Sequence, residues 1–379
     1  MIRQPAASDP VDAPIEFFHT SVSSRAIALA NEVLQSGWLS EGRKVKAFEQ
    51  ALSQQLGLVN PVAVNSGTAA LHLALVVAGI GVDDEVILPA QTFVATGLAI
   101  LMQGATPVFA DIDPLTGNLA PDSLVAKITT RTRAVMPVHW GGYPCDLDPI
   151  NAIAARHGLA VIEDAAHALG ATYHGHPIGA NSRFTAFSFQ AIKHLTTGDG
   201  GALCCQQESD CERARALRWF GIDRAKSQPS VLGERIYDIA QPGFKYHLND
   251  VAAAIGLGNL EDFALRLARR QHNGACYRAE LADVSGVQLL RADGDRSHAY
   301  WLFTMLVERR EDFIRKLSAQ GIPASVVHLR IDRNAVFGGL RHDMPGQAEF
   351  EARQVSIPVH EALTVEDMGR IVATIRSGW

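Results

Sequence analysis

From residue 61 to residue 163 the chain repeats one unit: a short apolar run, a polar break, then an amphipathic segment of about ten residues. The strand-like runs fall at 61–64, 85–88, 107–110, 134–137 and 159–163, and the helix-like ones at 68–78, 92–103, 121–128 and 149–157. Uninterrupted apolar runs imply strands covered on both faces, and helices between them imply crossover connections and parallel pairing. The expectation is an α/β fold around a mostly parallel sheet, with functional side chains gathered at the carboxyl ends of its strands.

Two more helices are expected between residues 24 and 56, interrupted by Ser36-Gly37-Trp38-Leu39-Ser40-Glu41-Gly42. The pattern changes near residue 245. A long helix over 250–274 follows, then strand-like 287–290, 301–307 and 324–327 and helices at 311–320 and 365–377. That reads as a large α/β part, 1–245, with 1–14 a loose leader, and a smaller α+β part, 246–379. The length of 379 residues suits two such units.

Composition narrows the function classes. Lys and Arg number 34 against 40 Asp and Glu, a net charge of −6 with no long basic block, which argues against a nucleic-acid or anionic-membrane partner. No run reaches the roughly 18 apolar residues of a membrane span. The five cysteines, Cys145, Cys204, Cys205, Cys211 and Cys276, form no C-x-x-C pair, so neither a disulfide framework nor a zinc site is expected and a reducing cytoplasm is. Cys204 and Cys205 end an apolar run and read as buried, inert thiols. His174-Gly175-His176-Pro177 reads as a tight turn between short strands, and no metal is assigned to His174, His176 and His194.

Three segments carry chemistry. Asn65-Ser66-Gly67-Thr68-Ala69-Ala70 opens a helix directly after a strand; small residues and free N–H groups there suit a phosphate, and equally make an ordinary helix cap. Asp164 ends the apolar run Val161-Ile162-Glu163, where a carboxylate needs a facing cation or strong donor. A protonated ring nitrogen would serve, and so would capping of the next turn. His167 lies three residues on, beside such a ring or in a polar loop. Lys193 follows Phe187-Ser188-Phe189 and precedes Thr196-Thr197-Gly198-Asp199-Gly200-Gly201. A lysine in a partly apolar pocket loses basicity and becomes a Schiff-base nucleophile and proton carrier. A phosphate cradle, a strand-end aspartate and this lysine, in that order on an α/β sheet, are the handholds of pyridoxal 5′-phosphate.

From about residue 15 onward the chain resembles the DegT/DnrJ/StrS family of pyridoxal-phosphate-dependent sugar aminotransferases. The likeness runs through the 36–42 segment, 65–75, Pro89-Ala90-Gln91-Thr92-Phe93-Val94-Ala95-Thr96, 104–113, Pro137-Val138-His139-Trp140-Gly141-Gly142, Glu163-Asp164-Ala165-Ala166-His167, the Lys193 loop and Tyr246-His247-Leu248-Asn249-Asp250. The resemblance implies a fold-type-I transferase with a seven-stranded sheet. It implies Lys193 as the cofactor-bonding residue, Asp164 facing the pyridine nitrogen, Gly67, Thr68 and Ser188 holding the phosphate, Phe93 stacked on the ring and His167 near its phenolic oxygen. Asn249 would reach the phosphate from a neighbouring subunit, making a homodimer with shared sites. Trp38, Lys245 and His328 would face the substrate, although Leu329-Arg330-Ile331-Asp332-Arg333 after His328 departs from the family pattern. Relatives with histidine in place of the lysine are sugar dehydratases; Lys193 therefore favours transamination. The implied reaction carries an amino group from L-glutamate to a nucleotide-linked 4-keto-6-deoxyhexose. A 3-keto sugar or an inosose is the alternative acceptor, and a cofactor-binding regulatory subunit the non-enzymatic alternative.

Overall fold

The computed structural model describes residues 15–224 and 226–379; the expected leader, 1–14, lies outside the described residues. Two amphipathic helices come first, α1 (Ser24–Ser36) and α2 (Arg43–Leu56). Ser23 caps α1 by accepting the Ala26 N–H at 3.0 Å, and Gly37, at φ 73°, ends it in the left-handed conformation that glycine adopts without strain.

The alternating unit folds as its pattern dictates: β1 (Pro61–Val64), α3 (Gly67–Val77), β2 (Glu85–Pro89), α4 (Val94–Met102), β3 (Thr106–Ala110), α5 (Pro121–Lys127), β4 (Thr132–Val135), α6 (Leu147–His157) and β5 (Ala160–Asp164). Next come β6 (Phe184–Ser188), β7 (Gly201–Cys205) and α7 (Glu208–Leu217). The seven strands lie in the order β1-β7-β6-β5-β4-β2-β3. Only β7 runs against its neighbours; β6, β5, β4, β2 and β3 pair in parallel. Because β1 is antiparallel to β7, it points the same way as the parallel strands. The carboxyl ends of six strands and the start of β7 therefore share one edge. Residues 172–177 form the small hairpin expected there, with His174 and Gly175 at positive φ in its turn. Cys204 and Cys205 are buried, and burial pushes both thiols up.

The expected helix over 250–274 is instead two, α8 (Asp250–Leu260) and α9 (Phe263–Leu281), broken at Glu261 and Asp262. Asp262, at φ −99° and ψ 3°, leaves the helical path without glycine or proline to announce it. The glycines of α8 serve close packing: a Cβ on Gly258 would fall on the backbone of Ala26 in α1. Beyond α9 an antiparallel sheet, β8 (Val287–Leu289), β9 (Phe303–Val307) and β10 (Gln354–Ile357), packs with α10 (Arg310–Ser318) and α12 (Val365–Arg376) around its own core of Phe303, Met305, Phe313, Val355 and Ile371. α11 (Pro345–Arg353) leads into β10; neither is foreseen from the sequence.

Residues 324–327 are not the expected strand. They make one bridge, Ser325 to Ser356, before Val327 turns the chain at φ 58°. A β-branched residue rarely holds that conformation, and here it turns His328 toward the strand-end edge.

Candidate active site

The strand-end edge encloses a cavity of about 360 Å³. The loops leaving five of the strands on that edge contribute: Ser66, Gly67 and Thr68 after β1, Thr92 and Phe93 after β2, Val138 after β4, Asp164 and His167 at and after β5, Ser188, Gln190 and Lys193 at and after β6. Trp301 and His328 close it from the C-terminal part. Eight residues singled out from the sequence, Gly67, Thr68, Phe93, Asp164, His167, Ser188, Lys193 and His328, thus share one space. Trp38, Lys245 and Asn249 do not line it. Trp38 is 82% exposed, Lys245 is exposed with its carbonyl accepting from Asn65 at 3.2 Å, and Asn249 caps α8 by accepting the Ala252 N–H at 2.9 Å.

At the end of the cavity beside α3, Ser66 caps the helix through the Ala69 N–H at 3.0 Å, so the first N–H groups of the helix face the cavity loops. A Cβ on Gly67 would stand 3.0 Å from Ser188 Cβ and 3.4 Å from its Oγ. Glycine keeps that cradle open.

At the other end Asp164 is 6% exposed. Its Oδ2 accepts from Thr96 Oγ1 at 2.7 Å and its Oδ1 from the Ala166 N–H at 3.2 Å. Burial raises the Asp164 carboxyl, against the pull of these two donors and of Lys193 and His139. Behind it lies a wholly buried pair: His139 Nδ1 accepts the Cys145 N–H at 3.0 Å. The proton therefore belongs on Nε2, which donates to Glu163 Oε2 at 2.8 Å.

Lys193 lies between these ends. Burial lowers its ammonium to about 7, and the Asp164 charge opposes the fall. Its Nζ sits 3.6 Å from the centroid of the Trp301 ring. His167 stacks on the same indole at 3.7 Å and 14°. Burial, then the Lys193 charge, keeps His167 well below the ordinary histidine range and His328 at about 4.

The model of the DegT/DnrJ/EryC1/StrS aminotransferase family matches residues 21–376. The chain belongs to that family. It is 38% identical over 367 residues to the spore coat polysaccharide biosynthesis protein SpsC of Bacillus subtilis (strain 168), covering 94% of each chain. Among solved structures, the sugar aminotransferase CalS13 from Micromonospora echinospora superposes with a TM-score of 0.92 at 38% identity, covering 96% of this chain and 100% of that one. Spr1654 from Streptococcus pneumoniae, solved in a PLP form, matches with a TM-score of 0.89 at 29% identity over 96% of this chain and 98% of that one. The architecture is that of the fold-type-I aminotransferases, and the enzyme is a pyridoxal-phosphate-dependent aminotransferase.

The residues present fit that cofactor. His167 Nδ1 is buried with no partner among the described residues, and the Gly67–Ser188 cradle has room only while residue 67 lacks a Cβ. Sequence reasoning misses three contributors. Thr96 and the His139–Glu163 pair lie within quoted motifs but carry no signal of their own, since a buried threonine or histidine is ordinary core. Trp301 bonds from Nε1 to the Ile192 carbonyl at 3.0 Å across 109 residues of chain, a separation no local motif reports.

Proposed function

We propose that this aminotransferase moves the amino group of L-glutamate to a nucleotide-linked 4-keto-6-deoxyhexose, in the cytoplasm and as a homodimer. The observation that carries the reading is the meeting of Lys193, Asp164 and the α3 N-terminus in one buried cavity. The names of SpsC and CalS13 support a sugar acceptor in polysaccharide or related biosynthesis. A shared site is supported by the exposure of Asn249, Lys245 and Trp38 outside their own cavity. The division at 245/246 belongs to the same proposal, with α8 packed on the first part and α9 leading into the second.

Bound pyridoxal phosphate supplies an electron sink that acidifies the donor's Cα–H. Gly67, Thr68 and Ser188 hold its phosphate, and the dipole of α3 favours that charge. Asp164, whose carboxylate form Thr96 and the Ala166 N–H favour against burial, would hold the proton on the ring nitrogen. Phe93 lines the cavity where it would cover the ring, and His167 Nδ1, without a partner among the described residues, would be available to bond the cofactor. Lys193 Nζ would accept the proton that leaves the donor's Cα and later give it up again. A value of about 7 suits both directions near neutrality. Neutral His167 and His328 beside it add no competing cation. His328 and Phe93 flank the side from which the sugar enters, 5.2 Å apart.

The test is to supply the purified enzyme with pyridoxal phosphate and glutamate, and to follow 2-oxoglutarate release with a panel of nucleotide 4-keto and 3-keto sugars and an inosose. Release with a 4-keto sugar is expected. Release with the inosose alone refutes the nucleotide-sugar assignment.

A further inference from the structure

Trp301 is the largest side chain against Lys193 that no motif foretells. It is 1% exposed and held from several sides: Phe18 stacks on it at 5.1 Å, His167 at 3.7 Å, and its Nε1–H donates to Ile192 at 3.0 Å. Ile192 is the residue immediately before Lys193. One indole therefore touches both the backbone that carries the lysine and, at 3.6 Å, the lysine's own nitrogen.

An aromatic face attracts an ammonium through its quadrupole, most strongly for tryptophan and where water is excluded. The titratable groups within electrostatic reach of Lys193 are Asp164 from β5, His167 after it, His194 next to it in the chain, and His328 from the C-terminal part. Burial keeps His167, His194 and His328 neutral at pH 7, and among the described residues Asp164 is the carboxylate whose charge acts on the lysine. Asp164 is also the group assigned to the ring nitrogen. A lysine released from the cofactor during turnover needs another resting place for its charge.

We propose that Trp301 is the positioning residue of the active-site lysine: its indole face holds the freed Lys193 ammonium while its N–H fixes the carbonyl preceding that residue. The inference rests on Lys193 being the cofactor lysine.

The experiment uses the full chain loaded with pyridoxamine 5′-phosphate, in which the Lys193 amine is free. Methyl acetimidate, a small reagent for neutral amines, is applied across pH 5–10, and labelling at residue 193 is quantified by peptide mass spectrometry. In Trp301→Leu the labelling midpoint falls by about 1 unit, and in Trp301→Phe by less. Loss of packing alone admits water and moves the midpoint the other way, so the direction separates the two causes. Should these variants fold poorly, protein grown with mono-, di- and trifluorotryptophan keeps the indole shape while weakening its quadrupole. The midpoint then falls stepwise, and the fall disappears in a fluorinated Trp301→Phe protein, which controls for the other four of the five tryptophans. A midpoint unchanged by fluorination, or raised in Trp301→Leu, overturns the proposal. Borohydride reduction of the pyridoxal-phosphate form tests the premise separately: cofactor fixed elsewhere than residue 193 refutes the lysine assignment, whatever Trp301 does.

Discussion

Thr96→Val keeps the shape of a fully buried side chain and deletes one hydroxyl, 2.7 Å from Asp164 Oδ2. That hydroxyl also lies 3.1 Å from the Phe93 carbonyl and 2.6 Å from Thr92 Oγ1, but has one proton to give. The carboxylate is the strongest acceptor of the three, so Thr92 donates to Thr96 and Thr96 donates to Asp164. A bond to a carboxylate contributes about 1.5–3 kcal/mol and one to a neutral amide about 0.5–1.5 kcal/mol. In a double-mutant cycle with Asp164→Asn the coupling is therefore about 1 kcal/mol, and the orphaned Thr92 hydroxyl, common to both arms, cancels. Asp164 already titrates above the ordinary carboxylate value because it is buried, and the Thr96 bond pulls it back down. Removing the bond raises it further. A carboxyl raised on folding weakens the fold as pH climbs from its unfolded to its folded value, and Thr96→Val deepens that loss. Urea unfolding of the cofactor-free chain, at fixed protein concentration from pH 5 to 8, reads the coupling. Its size must be greatest at the alkaline end. A coupling within about 0.3 kcal/mol of zero at pH 8, or one that grows as pH falls, refutes the assignment of the Thr96 proton.

Three shorter tests bear on the same site. Lys193→Ala leaves no borohydride-stable cofactor adduct and no turnover; an adduct on another lysine with normal turnover removes Lys193 from its role. Gly67→Ala drives a methyl to 3.0 Å from Ser188 Cβ. Equilibrium dialysis should show pyridoxal phosphate bound about tenfold more weakly, a loss of about 1.4 kcal/mol, with the melting temperature of the cofactor-free chain nearly unchanged. Glu163→Gln replaces by an amide the carboxylate that accepts from His139 Nε2, both side chains being wholly buried. Chemical denaturation should show about 1 kcal/mol of lost stability, the difference between a bond to a carboxylate and one to a neutral amide, and no loss would mean that Glu163 is not the acceptor of that proton.

The strands were legible because a strand covered on both faces writes an unbroken apolar run, and the edge where the site lies follows from strand direction alone. Asp164 stands at the end of such a run and Gly67 just beyond one, Lys193 follows a strand of alternating aromatics, and Ser188 enters by the family resemblance; the cavity brings all four together. The break at Glu261 and Asp262 was not, since both residues tolerate a helix interior and the kink is set by how α8 and α9 pack. The run 324–327 reads as a strand by composition, yet its fourth residue sits at φ 58°, a tertiary choice that aims His328 at the cavity. Trp301 and Thr96 act through contacts to residues distant in sequence, and sequence periodicity carries no record of such contacts.

Burial moves Asp164 up and Lys193 down, so each group is displaced toward its neutral form and the fold bears the cost. Lys193→Met isolates the lysine's share. A lysine lowered on folding from 10.5 to about 7 costs about 5 kcal/mol below pH 7, at about 1.4 kcal/mol per unit. Between pH 7 and 10.5 the unfolded chain binds the proton that the folded chain has released, so the wild-type protein gains stability as pH rises through that window. Methionine fills a similar volume without a charge and lacks that slope. The cofactor-free Lys193→Met chain should therefore be the more stable of the two at pH 7, and the difference should shrink steadily toward pH 10. Groups common to both chains cancel in the comparison, which urea midpoints at matched protein concentration will read. A Met variant less stable at pH 7, or a difference that does not change with pH, would mean that Lys193 is solvated in the cofactor-free chain. Stability regained at the expense of all activity is the signature of a residue kept for chemistry rather than for the fold.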